Sequence, residues 1–224
     1  MDIQNSYGES FSADIQFAVA ESYKTIRTNL QFLLAEQKSC KIITISSPNS
    51  GDGKTTNAVN LAIAFSQLGK RVLLIDADLR RPNIHKRLKI DPSVGLSSVL
   101  AGFVSVEETI VNVNSCFDVI PAGTIPPNPS ELLASSAYER LISSLRVAYD
   151  YIIIDTPPLG VVSDALSVAS KTEGILFVIR EKATTHSSFE KVLESVELAG
   201  VKVLGVVLNS SISQKDYPNY KSVY

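Results

Sequence analysis

Asp76 and Asp78 leave the end of an apolar run, Val72-Leu73-Leu74-Ile75, and Arg80 follows them. Shortly upstream stands Ser47-Pro48-Asn49-Ser50-Gly51-Asp52-Gly53-Lys54-Thr55. A glycine-rich turn into a helix points backbone N–H groups and a positive dipole end at phosphates, and a lysine there adds a point charge. Carboxylates at the next strand end can then bind a metal's waters or take a proton beside those phosphates. A third acid, Asp155, closes the apolar strand Tyr151-Ile152-Ile153-Ile154 ahead of Thr156-Pro157-Pro158. One strand-end aspartate alone reads as a cap or turn former. Three of them, on the strands that follow a phosphate loop, read as a site for ATP and Mg²⁺.

In that reading the N–H groups of Gly51, Asp52, Gly53, Lys54, Thr55 and Thr56 hold the β and γ phosphates together with the Lys54 ammonium. The Thr55 hydroxyl is an inner ligand of Mg²⁺. Asp155, with Asp78 or Asp76, binds the waters of that ion, because Mg²⁺ dehydrates reluctantly. If the phosphate goes to a tyrosine hydroxyl, whose free pKa is about 10, a carboxylate must accept its proton. Asp76 is the first candidate for that base and Asp78 the second.

The loop departs from the usual pattern, since Pro48 occupies the place of its first glycine. Context restores it: Lys41 to Ser46 is a β-branched strand, and Thr55 to Gln67 carries Val59, Ala62 and Ile63 at helical spacing before Gly69. The rest of the chain alternates in the same way. A helix spans about Ile15 to Leu34, short helices lie between Pro82 and Ile110, and strands are expected at Phe117 to Ile120, Gly174 to Ile179 and Lys202 to Leu208. A Pro-rich loop occupies Pro121 to Pro129. Further helices are expected over Tyr138 to Ala148, with Ser136 and Glu139 as a capping box, Asp164 to Ser170, behind a Ser163-Asp164 cap, and Ser187 to Ala199. The pattern predicts an α/β fold, a mostly parallel sheet flanked by helices on both faces, with ligand chemistry at the carboxyl ends of the strands.

At 224 residues and 45% hydrophobic content the chain can bury one substantial core. Residues 1–209 read as one domain and 210–224 as a tail too polar to fold. The net charge of −2, with Lys and Arg scattered, gives no footprint for nucleic acid. Cys40 and Cys116 lack metal or disulfide spacing and read as buried thiols in a reducing compartment. His85 and His186 are too far apart for a zinc motif. No apolar run approaches the ~20 residues of a membrane helix, which predicts a cytoplasmic chain unless a partner tethers it.

The segment Leu74-Ile75-Asp76-Ala77-Asp78-Leu79-Arg80-Arg81-Pro82, the glycine loop and Ile153-Ile154-Asp155-Thr156-Pro157-Pro158 together resemble the bacterial tyrosine kinases of capsule and exopolysaccharide biosynthesis, a branch of the P-loop NTPases. Ile125-Pro126-Pro127-Asn128-Pro129-Ser130-Glu131-Leu132-Leu133 resembles a family segment too. The resemblance implies autophosphorylation, between subunits of a ring, of a C-terminal tyrosine cluster. Here that cluster is Tyr217, Tyr220 and Tyr224, three of the chain's eight tyrosines. It implies that Glu21, Lys24 and Arg27, one helical face, join subunits, with Lys24 standing where relatives have arginine; the same residues read otherwise as a solvated face of i to i+3 pairs. It implies that Asn209 contacts the adenine edge, although a strand-ending Asn needs no such role. Arg80 and Arg81 could touch phosphate or a neighbouring subunit, or pair with surface acids. Relatives of this short form act with a separate transmembrane activator, a polysaccharide co-polymerase subunit, which implies recruitment to the inner face of the membrane, other protein-tyrosine substrates, and control of polysaccharide synthesis and export.

Two rival classes remain. The partitioning and cell-division-site ATPases share the first two motifs but carry a signature lysine where this chain has Asn49. A nucleotide-bound scaffold is the other, and three acidic strand ends argue against it. The eukaryotic kinase type is excluded, since neither His-Arg-Asp nor Asp-Phe-Gly occurs.

Overall fold

The computed structural model describes residues 13–37 and 39–209. Helix α1 (Ala13–Leu33) leads into strand β1 (Lys41–Ser46), helix α2 (Lys54–Ser66) and strand β2 (Val72–Asp76). Short helices α3 (Ile84–Leu88) and α4 (Leu96–Leu100) and a 3₁₀ turn (Glu107–Thr109) precede β3 (Val111–Asn114) and β4 (Phe117–Ile120). Then come α5 (Pro129–Leu133), α6 (Ser136–Leu145), β5 (Tyr151–Asp155), α7 (Asp164–Ala169), β6 (Ile175–Arg180), α8 (His186–Leu198) and β7 (Val203–Asn209).

The strands form one seven-stranded sheet in the order β3-β4-β2-β5-β1-β6-β7, parallel except for β3 against β4. The expected α/β architecture is therefore the observed one. In β2 and β5 every residue is buried, as strands covered by helices on both faces must be. Alternation within those runs sorts the side chains. Ile43, Ile45, Leu74 and Ile153 join one core with α1 and α2. Ile42, Leu73, Ile75, Ile152 and Ile154 join a second core with α4 to α6. Helix α2 lies between sheet and solvent-facing helix and buries ten side chains; its last turn is locked by Phe65 stacked on Tyr151, ring centroids 3.9 Å apart.

Four expectations need correction. Strand β3 was not anticipated: its Val-Asn-Val-Asn sequence is half-exposed at the sheet edge. The Pro-rich stretch read as loop gives way to a helix at Pro129, where the missing N–H costs nothing. Helix α6 is capped by Ser135, whose hydroxyl accepts from Tyr138 N, and not by Ser136; it ends at Leu145, short of Ala148. Cys116 is only half-buried, while Cys40 is buried and its thiol is pushed up to about 12 by desolvation.

Candidate functional site

Strand register brings the acids together. Asp76 on β2 pairs with Asp155 on β5, and Asp155 pairs on its other side with Ile45 of β1, just before the glycine loop departs. The carboxyl ends of three adjacent parallel strands thus open on one point.

The loop is held from all sides. Gly53 sits at φ +99°, a left-handed conformation that side chains resist, and an added Cβ would collide with the Asn209 amide. Asp52, 2% exposed, turns inward: one carboxylate oxygen accepts from Asn49 N at 2.9 Å and the other from the Thr184 hydroxyl at 3.0 Å. The Asp52 carbonyl accepts from Asn209 Nδ2 at 2.8 Å. Asn57 Nδ2 donates to the Gly53 carbonyl at 3.0 Å, and Ser188 Oγ to Asn49 Oδ1 at 3.2 Å. After β5, Gly160 presses against the Pro48 carbonyl, where no side chain would fit.

The charges inside are compressed. Lys54 Nζ donates to Asp78 Oδ2 at 3.0 Å, with both side chains nearly buried. Burial opposes the Lys54 charge, but Asp155, Asp78 and Asp76 outweigh it and raise its pKa. Asp155 is fully buried and neither of its carboxylate oxygens has a hydrogen-bond partner of ordinary geometry. Desolvation holds its pKa above the usual carboxylate range, against the pull of Lys54 and the nearby Thr55 hydroxyl. Asp76 is pushed higher still, by desolvation first and then by Asp155. Such crowding of buried negative charge, with orphaned oxygens, is what a divalent cation relieves. Among the described residues no three His, Cys, Asp or Glu side chains form a ready cage. A cation carrying its own waters fits this donor set better than a fully protein-ligated one.

The aspartates differ in access. Asp78 lines the cavity. Asp76 lies behind it, its Oδ2 accepting from Asn83 N at 3.1 Å and Ile84 N at 3.0 Å, which ties the start of α3 to the end of β2. The cavity, about 1210 Å³, is floored by Ser50, Gly51, Gly53, Lys54, Thr55 and Thr56, with Asn209 at its edge.

Arg80 proves to be a brace. Its Nε donates to Asp164 Oδ2 at 2.8 Å and its Nη2 to the Ser130 hydroxyl at 2.8 Å, and Ser130 in turn donates to Asp164 at 2.7 Å. Asp164, 1% exposed, is thus the buried counter-ion of Arg80, and Ser163 caps no helix with its side chain. The cluster joins the Asp78 loop to α5 and α7. Sequence reading missed it, as it missed Thr184, Ser188 and Gly160, whose partners lie far away in the chain and leave no local signal; it also missed Asn57, which bonds Gly53 one helical turn back and Tyr23 at a distance. It also took Lys and Arg as scattered, whereas Arg81, Lys86 and Arg87 gather on one wall of the cavity.

On α1 the three expected interface residues part company. Lys24 pairs with Glu21 at 2.6 Å on an exposed face. Arg27 turns inward and donates to the Ala64 carbonyl at 2.7 Å. Its neighbour Tyr23 donates to Asn57 Oδ1 at 3.2 Å, so α1 is linked through Asn57 to the glycine loop. Tyr217, Tyr220 and Tyr224 lie outside the described residues. Among the described residues no helix is long and apolar enough to cross a membrane.

Comparison with known proteins converges on this geometry. Residues 40–204 match the family described as an AAA domain. The chain is 40% identical over 191 residues to the tyrosine-protein kinase YwqD of Bacillus subtilis, covering 85% of this chain and 80% of that one. It is 37% identical over 206 residues to the tyrosine-protein kinase CpsD of Streptococcus agalactiae, 89% of each chain. The tyrosine-protein kinase wzc of Salmonella typhi matches at 36% over 91% of this chain but only 29% of its own length. Among solved structures, the kinase domain of Escherichia coli tyrosine kinase ETK superposes with TM-score 0.84 at 34% identity, covering 92% of this chain and 80% of that one. The chimerical protein CapA2B2 gives 0.82 at 33%, covering 93% and 89%. The septum site-determining protein MinD of Pyrococcus horikoshii, complexed with Mg-ADP, gives 0.65 at 30%, covering 76% and 70%.

Proposed function

The chain belongs to the AAA-domain family of bacterial tyrosine-protein kinases, and we propose that its cavity transfers the γ-phosphoryl group of ATP to tyrosine hydroxyls, first among them those of its own tail. The observation that supports this most strongly is the pair of partnerless Asp155 oxygens beside Lys54 and Thr55. A magnesium nucleotide bound in a solved structure of this fold, in MinD, agrees with that donor set.

The loop amides from Gly51 to Thr56 and the Lys54 ammonium hold the β and γ phosphates. Thr55, with the waters kept by Asp155 and Asp78, is the place for Mg²⁺, which supplies positive charge against the phosphate oxygens when bound. The tyrosine oxygen bonds to the γ phosphorus as the bond from that phosphorus to the β–γ bridging oxygen breaks, and ADP leaves. The phenolic proton passes to a carboxylate. Burial holds the Asp76 pKa above the usual carboxylate range, which suits a base; Asp78 is the one that lines the cavity and is engaged by Lys54. For Asp76 to serve, the amides of Asn83 and Ile84 must yield its Oδ2, or that of Asp78 its Oδ1. Asn209, which lines the cavity and donates to the Asp52 carbonyl, takes the base of the nucleotide in this reading.

The acceptors are Tyr217, Tyr220 and Tyr224 of a neighbouring subunit in a ring, and tyrosines of other proteins. Glu21 and Lys24 present the exposed face of α1 for that assembly, while Arg27 fixes the helix to α2. A separate transmembrane partner brings the chain to the inner membrane face and stimulates it, and the function served is control of capsular or exopolysaccharide synthesis and export. Two observations support the partner: wzc is far longer than the matched region, and a CapA2B2 chimera shares the fold. The test is mass spectrometry of the full chain after incubation with Mg·ATP and a candidate activator fragment. Phosphate is expected on the tail tyrosines; its absence from all three positions removes the tail from the account.

A further inference from the structure

The cavity is larger than the ~300–1,000 Å³ that holds most small molecules, at about 1210 Å³. Its surplus has a definite chemistry. One wall is the segment after β2 and α3, carrying Arg81, Lys86 and Arg87, and none of these three side chains enters an ion pair among the described residues. The acid that lines this cavity, Asp78, is already paired with Lys54. The same cavity is also lined by apolar groups, Pro158, Val162, Ile125 and Val161, the last two 58% and 65% exposed.

Strand order separates this wall from the nucleotide's base. β2, which leads into the wall, and β7, which ends at Asn209, lie on opposite sides of β1 in the sheet. A nucleotide reaching from the glycine loop toward Asn209 therefore extends away from Arg81, Lys86 and Arg87. What remains is an apolar lining suited to a phenol ring together with three cations in no ion pair, of which Arg87 alone also acts at longer range on Asp155.

Resting on the kinase reading above, we propose that this basic wall recognises a phosphotyrosine next to the acceptor tyrosine, so that each phosphate placed on the tail improves capture of the following one. The tail sequence fits. Asp216-Tyr217-Pro218-Asn219-Tyr220-Lys221-Ser222-Val223-Tyr224 spaces its tyrosines three and four residues apart. In extended chain that is roughly 10–14 Å, a span within one cavity of this size. Before modification Lys215 and Lys221 outnumber Asp216, so the tail offers the wall almost nothing. One phosphate brings about −2 at neutral pH and three acceptor oxygens, the partner that arginine and lysine side chains hold best.

The test uses the full chain with Tyr217→Phe, Tyr220→Phe and Tyr224→Phe, so that its own tail does not compete. Fluorescent peptides of residues 213–224, unmodified or phosphorylated at Tyr220, are titrated with the protein in the presence of Mg·ADP, and ADP affinity is measured alongside. The phosphopeptide is expected to bind about ten-fold more tightly, and Lys86→Glu to erase that preference while ADP affinity changes less than two-fold. Equal binding of the two peptides overturns the proposal. So does a Lys86→Glu variant that loses ADP as strongly as phosphopeptide, because the wall would then serve the nucleotide. Failure of Mg·ADP to bind at all overturns the kinase reading and this proposal with it, whereas nucleotide binding without peptide preference overturns the proposal alone.

Discussion

The glycine loop and the basic wall border the same cavity and are built on opposite terms. The groups that shape the loop are tied to one another: Asp52 by Asn49 and Thr184, the Asp52 carbonyl by Asn209, and the Gly53 carbonyl by Asn57. Arg81, Lys86 and Arg87 on the wall are in no ion pair among the described residues. The loop is preorganised for one invariant ligand, a polyphosphate, and its amides need no rearrangement to meet it. The wall leaves its cations out of any such close contact, Arg87 acting on Asp155 only at longer range, as suits a partner that arrives and leaves. A site that holds one substrate rigidly and samples another needs both kinds of construction.

The sharpest way to break this contrast is to remove charge from the rigid side. Lys54→Met and, separately, Asp76→Asn should each abolish phosphotyrosine formation, a loss on the order of 10³-fold or more, while Lys86→Glu lowers transfer to unmodified acceptors only slightly. Quantitative phosphotyrosine mapping separates the two. Loosening the loop without touching its charge is the next step: Asp52→Ala removes the anchors to Asn49 and Thr184 and should weaken nucleotide binding roughly ten-fold, read by titration with ADP.

The buried acids predict a pH dependence. Asp76 and Asp155 both have pKa values raised by burial, so the folded chain holds protons that the unfolded chain releases. That contribution to stability is therefore fully present below the ordinary carboxylate value of 3.8, declines as pH rises above it, and is gone by about pH 6 for Asp155 and about pH 8 for Asp76. Lys54, raised above its ordinary value, stays charged throughout that window. Thermal melting without nucleotide should show the decline, Asp155→Asn should flatten it, and Mg·ADP should reverse it. Melting that improves with pH in this range contradicts the charge crowding.

Helix α1 gives the smallest effects and repeats the same contrast. Arg27→Ala strips the Ala64 carbonyl of its partner and should cost about 1–2 kcal/mol in denaturant unfolding. Lys24→Ala breaks only an exposed i to i+3 pair and should cost less than about 0.5 kcal/mol. A change in the mass found by light scattering with Lys24→Ala, at unchanged stability, would assign that face to assembly.

The strands that carry the site were legible because each is a continuous apolar run ending in a signature: β1 and β2 match their expected bounds, and β5 ends at Asp155 as read. Strand β3 was not, because Val111-Asn112-Val113-Asn114 at an exposed edge has no apolar run to announce it. Helix α5 hid behind Pro129, which begins it. Adjacent serines at 135 and 136 left the cap of α6 ambiguous by one position. The candidate site was legible as motifs and invisible as a network. Asp52 and Thr184 are 132 residues apart, Arg80 and Asp164 are 84 apart, and neither member of such a pair constrains its own neighbours in sequence. The basic wall escaped for a similar reason: Arg81 lies in a loop and Lys86 and Arg87 on a five-residue helix, a spacing that reads as scatter until α3 folds back over the end of β2.

The most direct measurement is ADP affinity with and without magnesium, in the wild-type chain and in Asp155→Asn. Magnesium is expected to tighten wild-type binding at least about ten-fold, and the variant, which keeps Lys54 and the loop amides, to bind ADP while losing that enhancement. Full magnesium dependence in Asp155→Asn would contradict the claim that the partnerless carboxylate at the end of β5 organises this site.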